Sequence, residues 1–419
     1  MGNPLETNST PHNWRGPTEM TRVFKENSSY RALFLSLVMS AIGYGLYKGV
    51  FDNYLVESVG MGEFGKGVTE FFRESAGLML VFILALLYRF SAPQIFKLGG
   101  LLMLVGMIMQ SAIPASKVLV TIAILIYSTG EHIQIGMKNT LTLEYSRDGR
   151  SGVALGWLNA VTQFGNLAGY LLVIPAFLLA GAALNGSTLF KWYFVVSSLF
   201  MGLALIAAMK LRGASRTSAS QSRFYFRRKF TKYYMLELFY GARKQVFFTF
   251  GPYVLVLFYG AQASTVSGLF AISAVACLVF SPLMGKLIDR VGYKPVMIAD
   301  TLILVIVCFF YGFAHHLFSM RVAFVVCCVN YVLDSVISLA AMAANVYVQE
   351  LSESGEEMRA TISTGVSVNH LVTVLVALFG GWIWSTLGVE TLFVLSAVLG
   401  LCNSAFAATI RVPKKDDAV

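Results

Sequence analysis

The stretch "YGLYKGVF", Tyr44–Phe51, returns as "YGARKQVF", Tyr240–Phe247, 196 positions further along a chain of 419 residues. Both copies lie inside apolar runs long enough to cross a bilayer, yet each carries a lysine near its middle, and the second adds Arg243. A charge at membrane depth costs about 2.5–3.5 kcal/mol on insertion scales, so such residues mark a function or a partner. The copies agree at Tyr44/Tyr240, Gly45/Gly241, Lys48/Lys244, Val50/Val246 and Phe51/Phe247. A weaker match sets "NTLTLEYS" against "NVYVQELS", aligning Asn139/Asn345, Glu144/Glu350 and Ser146/Ser352 at an offset of 206. Matches in the same order at similar offsets read as two copies of one unit, the arrangement of several transporter folds with central sites. Lys48 and Lys244 are then expected to approach a shared central space from opposite halves. Adjacent helical residues point about 100° apart, so Arg243 and Lys244 face different surroundings, one the cavity and the other a neighbouring helix or acid.

The composition supports a membrane setting. Hydrophobic residues make up 56% and charged residues only 13%, with a mean hydropathy of +0.67; soluble chains carry about 25% charged residues. Runs of about 20 apolar residues are spanning candidates. Twelve are read, at 31–57, 66–89, 94–114, 117–144, 152–180, 189–211, 231–259, 263–286, 294–316, 319–350, 361–386 and 389–411. This gives an all-α polytopic membrane protein of two pseudo-symmetric six-helix bundles, 31–211 and 231–412, joined by a basic linker at 212–230. Residues 1–30 and 413–419 form cytoplasmic tails, and no cleaved signal is expected, since the first thirty residues lack a short apolar core. With both termini inside, 23 of the 32 Lys and Arg fall on inward segments, while the outward loops hold only Lys66, Lys117, Lys191 and Arg321. That bias predicts a cytoplasmic (inner or plasma) membrane with both ends in the cytoplasm. The net charge of +10 is accounted for by this distribution, eight of the cations lying between Lys210 and Lys232, so no nucleic-acid partner is expected.

The string "GKLIDRVGYKP", Gly285–Pro295, lies between the eighth and ninth spans. With twelve spans arranged six plus six and a long basic central loop, it resembles the major facilitator superfamily over roughly residues 30–412. Gly285, Leu287, Asp289, Arg290, Gly292 and Lys294 fit the family's loop signature, and Tyr293 stands where Arg is usual. The resemblance implies a cytoplasmic loop that latches the outward-open state, and a cavity lined by helices one, four, seven and ten. The first half departs from the pattern: "LLYRFSAPQIFKLG" has Ser91 near the place of the Asp.

Charges within the spans supply the remaining candidates. Glu70, Arg73 and Glu74 share a face of the second span, either as a self-neutralised cluster or as proton-binding carboxylates tuned by the arginine. Glu131 and Lys138 lie seven apart on the fourth span with His132 beside Glu131, placed for substrate or proton contact. Asp334 on the tenth has no cation within a turn, so it needs a partner across helices, with Lys48, Lys138, Arg243 and Lys244 in reach by family geometry, or it is neutral. Asp52, four residues beyond Lys48, fits a neutralising partner, and Glu237 is its analogue for the basic pair. Asn369 and His370 read as interhelical hydrogen-bonding groups. Substrate contact is therefore expected from Lys48, Lys138, Arg243, Lys244, Tyr44, Tyr240, Asn139 and Asn345. Proton coupling is expected from Glu131, His132, Asp334, Glu70, Arg73 and Glu74.

"GMGEFGKG" at Gly60–Gly67 lacks the preceding strand of a nucleotide loop. The five cysteines fit neither a zinc nor a redox spacing and read as small buried hydrophobes. "NGS" at Asn185 is a glycosylation acceptor only in a eukaryotic cell. No catalytic set appears, so no enzyme, cofactor or metal is expected. The expected function is secondary active transport by a monomer of a small solute, with protons as the coupling ion. As in the organophosphate:phosphate antiporters of the family, which place a cation on helices one and seven, the solute is expected to be an organic anion. Lysine is only a point charge for phosphate, so phosphate specificity does not follow. The alternatives are a proton-coupled exporter of amphipathic or cationic compounds, drawn by Glu131, Asp334 or Glu70, and a non-transporting receptor or scaffold on the same fold.

Overall fold

A computed structural model of the chain describes residues 27–146, 151–180, 186–213 and 226–410. Asn185, most of the basic linker, residues 1–26 of the first tail and the whole of the second lie outside the described residues; 28–30, expected in the tail, already belong to the first helix. Among the described residues the chain is helical, without strands. The helices are α1 (Ser28–Asn53, prolonged by a π turn, Tyr54–Ser58), α2 (Glu63–Leu86), α3 (Ala92–Ala112), α4 (Lys117–Tyr145), α5 (Ser151–Ala180) and α6 (Gly186–Met209). The second half has α7 (Thr231–Leu257), α8 (Ala263–Val291), α9 (Tyr293–Leu317) and α10 (Met320–Leu351, with a 3-10 turn at Ser338–Ala341). It ends with Gly355–Ala408, which breaks at Gly388 (φ 91°) into α11, 355–387, and α12, 389–408. Each expected span coincides with one helix. Nine described stretches are long and apolar enough to cross a membrane, the last covering both α11 and α12; α2 and α7 carry charges instead.

Local signals set several ends. Asn27 caps α1, its side chain accepting from the backbone N–H of Ser29 and Tyr30 at 3.0 and 3.1 Å. Ser91 caps α3 in a reciprocal box with Gln94. Large apolar side chains such as Leu86, Leu179, Leu199 and Ile206 are exposed around the outside, the lipid-facing belt of an integral multi-pass membrane protein.

Two six-helix bundles, α1–α6 and α7–α12, are related by pseudo-symmetry, most visibly where α1 and α7 end. Met61 N–H donates to the Leu55 carbonyl at 2.9 Å, and Ala261 N–H to the Leu255 carbonyl at 2.8 Å. Gly60 (φ 63°) and Gly260 (φ 70°) make the same left-handed turn. The contacts across the halves are reciprocal: Asn53 Nδ2 donates to the Ala261 carbonyl at 2.7 Å, and Tyr253 Oη to the Met61 carbonyl at 2.5 Å. The equivalent positions Asn53/Tyr253, Leu55/Leu255, Gly60/Gly260 and Met61/Ala261 each stand 200 residues apart. The halves also touch where α2 crosses α11. A Cβ on Gly67 would fall 2.6 Å from the Ala377 carbonyl oxygen, and one on Gly381 2.8 Å from the Gly67 Cα, so only glycines allow this approach. Further cross-half bonds join Ser267 to the Tyr170 carbonyl (2.9 Å), and α11 to Glu74 at mid-depth. These contacts occupy the end bearing the α1–α2 and α7–α8 turns and the middle of the bundle. The described inter-half hydrogen bonds include none at the opposite end, where the described residues begin at Asn27 and end at Ile410.

Candidate functional site

The polar residues of α1 and α2 form one connected chain of ion pairs. Lys48 Nζ meets Asp52 Oδ2 at 3.2 Å, one turn along α1, and Asp52 Oδ1 takes Lys66 Nζ at 2.7 Å. Lys66 also holds Glu70 Oε1 at 2.9 Å, Glu70 Oε2 holds Arg73 Nε at 2.5 Å, and Arg73 continues to Glu74. Three cations alternate with three carboxylates, so the chain sums to zero. Its interior is dry, with the Lys66 and Asp52 side chains both 0% exposed, where unpaired charges would be very costly. For Glu70, held by Lys66 on one side and Arg73 on the other, the geometry is that of the neutralised cluster; Glu74, at the end of the chain, has Arg73 alone as a cation and turns its second oxygen away from it.

Lys66 is the main residue that sequence reasoning misplaced. Counted as a cation of an outward loop, it is instead the fully buried centre of the chain. The legible signal was its i, i+4 spacing to Glu70.

Glu74 ends the chain at the junction of the halves. Its Oε2 lies 3.3 Å from His370 Nδ1 and accepts from Thr373 Oγ1 at 3.3 Å, both on α11. His132 on α4 faces His370 with ring centroids 5.3 Å apart. His132 Nδ1–H donates to the Ser128 carbonyl at 2.8 Å, which turns Nε2 toward the junction. Both rings lie over Gly77, where a Cβ would meet His132 at 2.7 Å and His370 at 2.8 Å. Three helices from two halves thus converge on one carboxylate. Asn369, beside His370, donates to Glu237 at 3.3 Å, so both polar residues of α11 bond across helices as expected.

The second half treats its basic pair differently. Arg243 is buried and pairs with Asp300 on α9, an acid the sequence analysis did not single out, rather than with Asp334. Its guanidinium also lies 4.9 Å from the Tyr240 ring centroid, and the Tyr240 hydroxyl donates to the Ser338 carbonyl at 3.0 Å in the 3-10 turn of α10. Arg243 and Tyr240 are therefore committed to packing contacts. Lys244 is exposed and makes no ion pair among the described residues.

The two lysines do not meet at one level. The sequence match pairs them at an offset of 196, whereas the helix ends and reciprocal hydrogen bonds are in register at 200. Four residues are about one turn, ~6 Å along the axis. Lys48 accordingly stands level with Phe248, 5.5 Å from its ring centroid, and Arg73 reaches the same ring at 5.0 Å. Lys244, one turn before Phe248 on that face, lies nearer the terminus-bearing end and has no acid at i+4. Asp52 neutralises Lys48 as its spacing predicts; Glu237 is not within ion-pair distance of the basic pair.

On α4, Glu131 and Lys138 are half-buried and form no direct ion pair; Glu131 is in electrostatic reach of Arg73, Glu74 and Lys138. Asp334 is half-buried and likewise without a described ion pair, in electrostatic reach of Arg243, Asp300 and Lys244. Tyr44 is half-buried against the apolar core. Asn139 and Asn345 are exposed and are not drawn into the cluster. The cysteines are free, with Cys308 and Cys327 buried.

The sequence profile of the Major Facilitator Superfamily matches residues 233–418. The fold agrees over nearly the whole chain with solved transporters. The nucleoside transporter NupG (D323A mutant) superposes with a TM-score of 0.72 at 15% identity, covering 92% of this chain and 100% of that one. A D-xylose-proton symporter gives 0.70 at 16%, covering 93% and 98%. A bacterial homologue of the iron transporter ferroportin in an inward-facing state gives 0.67 at 12%, also covering 93% and 98%. No curated protein matches significantly. The second half of the chain thus carries the Major Facilitator Superfamily profile, and the described chain as a whole has the fold of these transporters.

The expected signature loop is a turn at Gly292 (φ 85°) between α8 and α9. Gly285 lies within α8, Lys294 Nζ donates to the Ile410 carbonyl at 2.9 Å, and Asp289 and Arg290 are exposed with no described ion pair. Tyr293, in the usual arginine place, is buried with its ring 5.6 Å from Tyr347. The same end is tied by Lys229, whose Nζ meets Glu357 at 2.8 Å and Glu353 at 2.9 Å. Hydrogen bonds to Glu357 and then Glu353 push the Lys229 pKa above the ordinary lysine range.

Proposed function

We propose that the chain is a secondary transporter that carries a small solute by alternating access, coupled to protons. The termini lie in the cytoplasm, and the cleft between the halves opens there. The carrying observation is Glu74: one carboxylate closes the ion-pair chain of the first half and accepts the His370 and Thr373 contacts from the second. A proton on Glu74 weakens its hold on Arg73 and on α11 together, so proton binding bears on the junction that must part when the cleft changes sides. The unlatched Asp289 and Arg290 fit a state open at that end. For the solute we assign an organic anion, met by Lys244 with Lys138, which make no ion pair among the described residues, because Lys48 is bound to Asp52.

The second reading, export of cationic or amphipathic compounds, draws on Glu131 and Asp334, which likewise make no ion pair among the described residues. Currents from proteoliposomes on a solid-supported membrane, with a panel of carboxylates, sugar phosphates, nucleosides, pentoses and lipophilic cations, test both. The expected result is anion-evoked current that grows with an inward proton gradient, weakens in Lys244→Ala with Lys138→Ala, and loses its proton dependence in Glu74→Gln. Anion currents unchanged in the lysine variants remove the anion site. Lipophilic-cation flux abolished by Glu131→Gln or Asp334→Asn establishes the exporter, and no flux of any solute leaves a non-transporting scaffold.

A further inference from the structure

At the end opposite the termini, away from the ion-pair chain, the last turn of α9 presents adjacent histidines to the first turn of α12. His315 Nε2 lies 3.2 Å and His316 Nε2 2.9 Å from the same oxygen, Glu390 Oε1. Side chains at neighbouring helical positions normally diverge by about 100°, yet these rings lean together, with centroids 3.9 Å apart. His315 is fixed from behind by Phe258 at the end of α7, centroids 4.9 Å apart. The carboxylate is fixed as well: Glu390 Oε2 folds over Gly388, where a Cβ would fall 2.6 Å away, so the break residue must be glycine for this placement. The site is reachable from water, with His316 58%, Glu390 30% and His315 14% exposed. No lysine or arginine among the described residues lies within ion-pair distance of Glu390.

We propose that His315, His316 and Glu390 form a binding site for a divalent transition-metal ion of the zinc class, open to the side of the membrane opposite the termini. Two imidazoles and one carboxylate are a donor set that zinc uses with a fourth position left to water. Metal–ligand lengths near 2.0–2.1 Å put tetrahedral ligands about 3.3 Å apart; the nitrogen–oxygen separations here are 3.2 and 2.9 Å, and all three donor atoms lie within 4.8 Å of one another. The net charge of the neutral-imidazole set is −1, which favours a dication. The other histidine–carboxylate group, Glu74 with His132 and His370, does not share this property, because Arg73 already neutralises Glu74. A bound ion would staple α9 to α12 across the closed end of the second half.

Titration calorimetry with ZnCl2 on the full-length protein, purified without a polyhistidine tag, tests the site. Wild type is expected to bind one Zn2+ per chain. His316→Ala and Glu390→Gln are each expected to weaken that binding by about tenfold or more, at the scale of losing a ligand or its orienting partner. His132→Ala and His370→Ala are expected to leave it unchanged. His316 is largely exposed, so its variant tests the ligand without unfolding the bundle. No zinc binding by wild type, full binding by His316→Ala, or binding lost in His370→Ala instead overturns the proposal.

Discussion

Lys66 shows how a single side chain can be read correctly as a charge and wrongly as an environment. Its position at the start of an apolar run suits an interfacial lysine, but the structure sinks it between Asp52 and Glu70 at 2.7 and 2.9 Å. Removing one partner of a buried pair leaves the others charged and dry, at a cost of about 3–5 kcal/mol. Lys66→Met is therefore expected to lower the unfolding temperature in detergent clearly, while Lys244→Met, which breaks no described pair, is expected to leave it nearly unchanged. By the same reasoning Arg243→Met destabilises, and Arg243→Met with Asp300→Leu recovers most of the loss because no lone charge remains. Spacing within one helix made Lys48–Asp52 and Glu70–Arg73–Glu74 legible in the sequence. Arg243–Asp300 and Glu74–His370 join residues 57 and 296 positions apart; only packing between helices brings them together.

Among the elements, the twelve spans were legible because hydrophobic length survives without tertiary information. Their registers were not. The lysine repeat aligned α1 with α7 one turn away from the pairing that their terminal turns define, since a shift of about four residues keeps the same helix face and so preserves the motif's appearance. Glycine content announced close packing but not its partners, and the crossing of α2 on α11 at Gly67 and Gly381 is the consequential case. Gly381→Leu is expected to hold these helices apart. A cysteine placed at Asn53 should then react faster with a water-soluble maleimide added on the side opposite the termini; an unchanged labelling rate would show that the crossing does not maintain closure.

For the whole molecule, the two halves close on each other through bonds at one end and at mid-depth, and the proposed cleft holds Lys244 on the other side. Lys244→Cys is expected to be labelled by an impermeant maleimide from that side only; labelling from the other side, or none, would place the residue outside the cleft. The ion-pair chain carries a further consequence, an electrical one. Moving one elementary charge through the membrane field is worth about 2.3 kcal/mol per 100 mV. Three positive and three negative groups locked together travel as a neutral body, so their displacement contributes no gating charge. The voltage dependence of the proposed cycle then falls to the solute and to the charges outside the chain, Lys138, Lys244, Glu131 and Asp334.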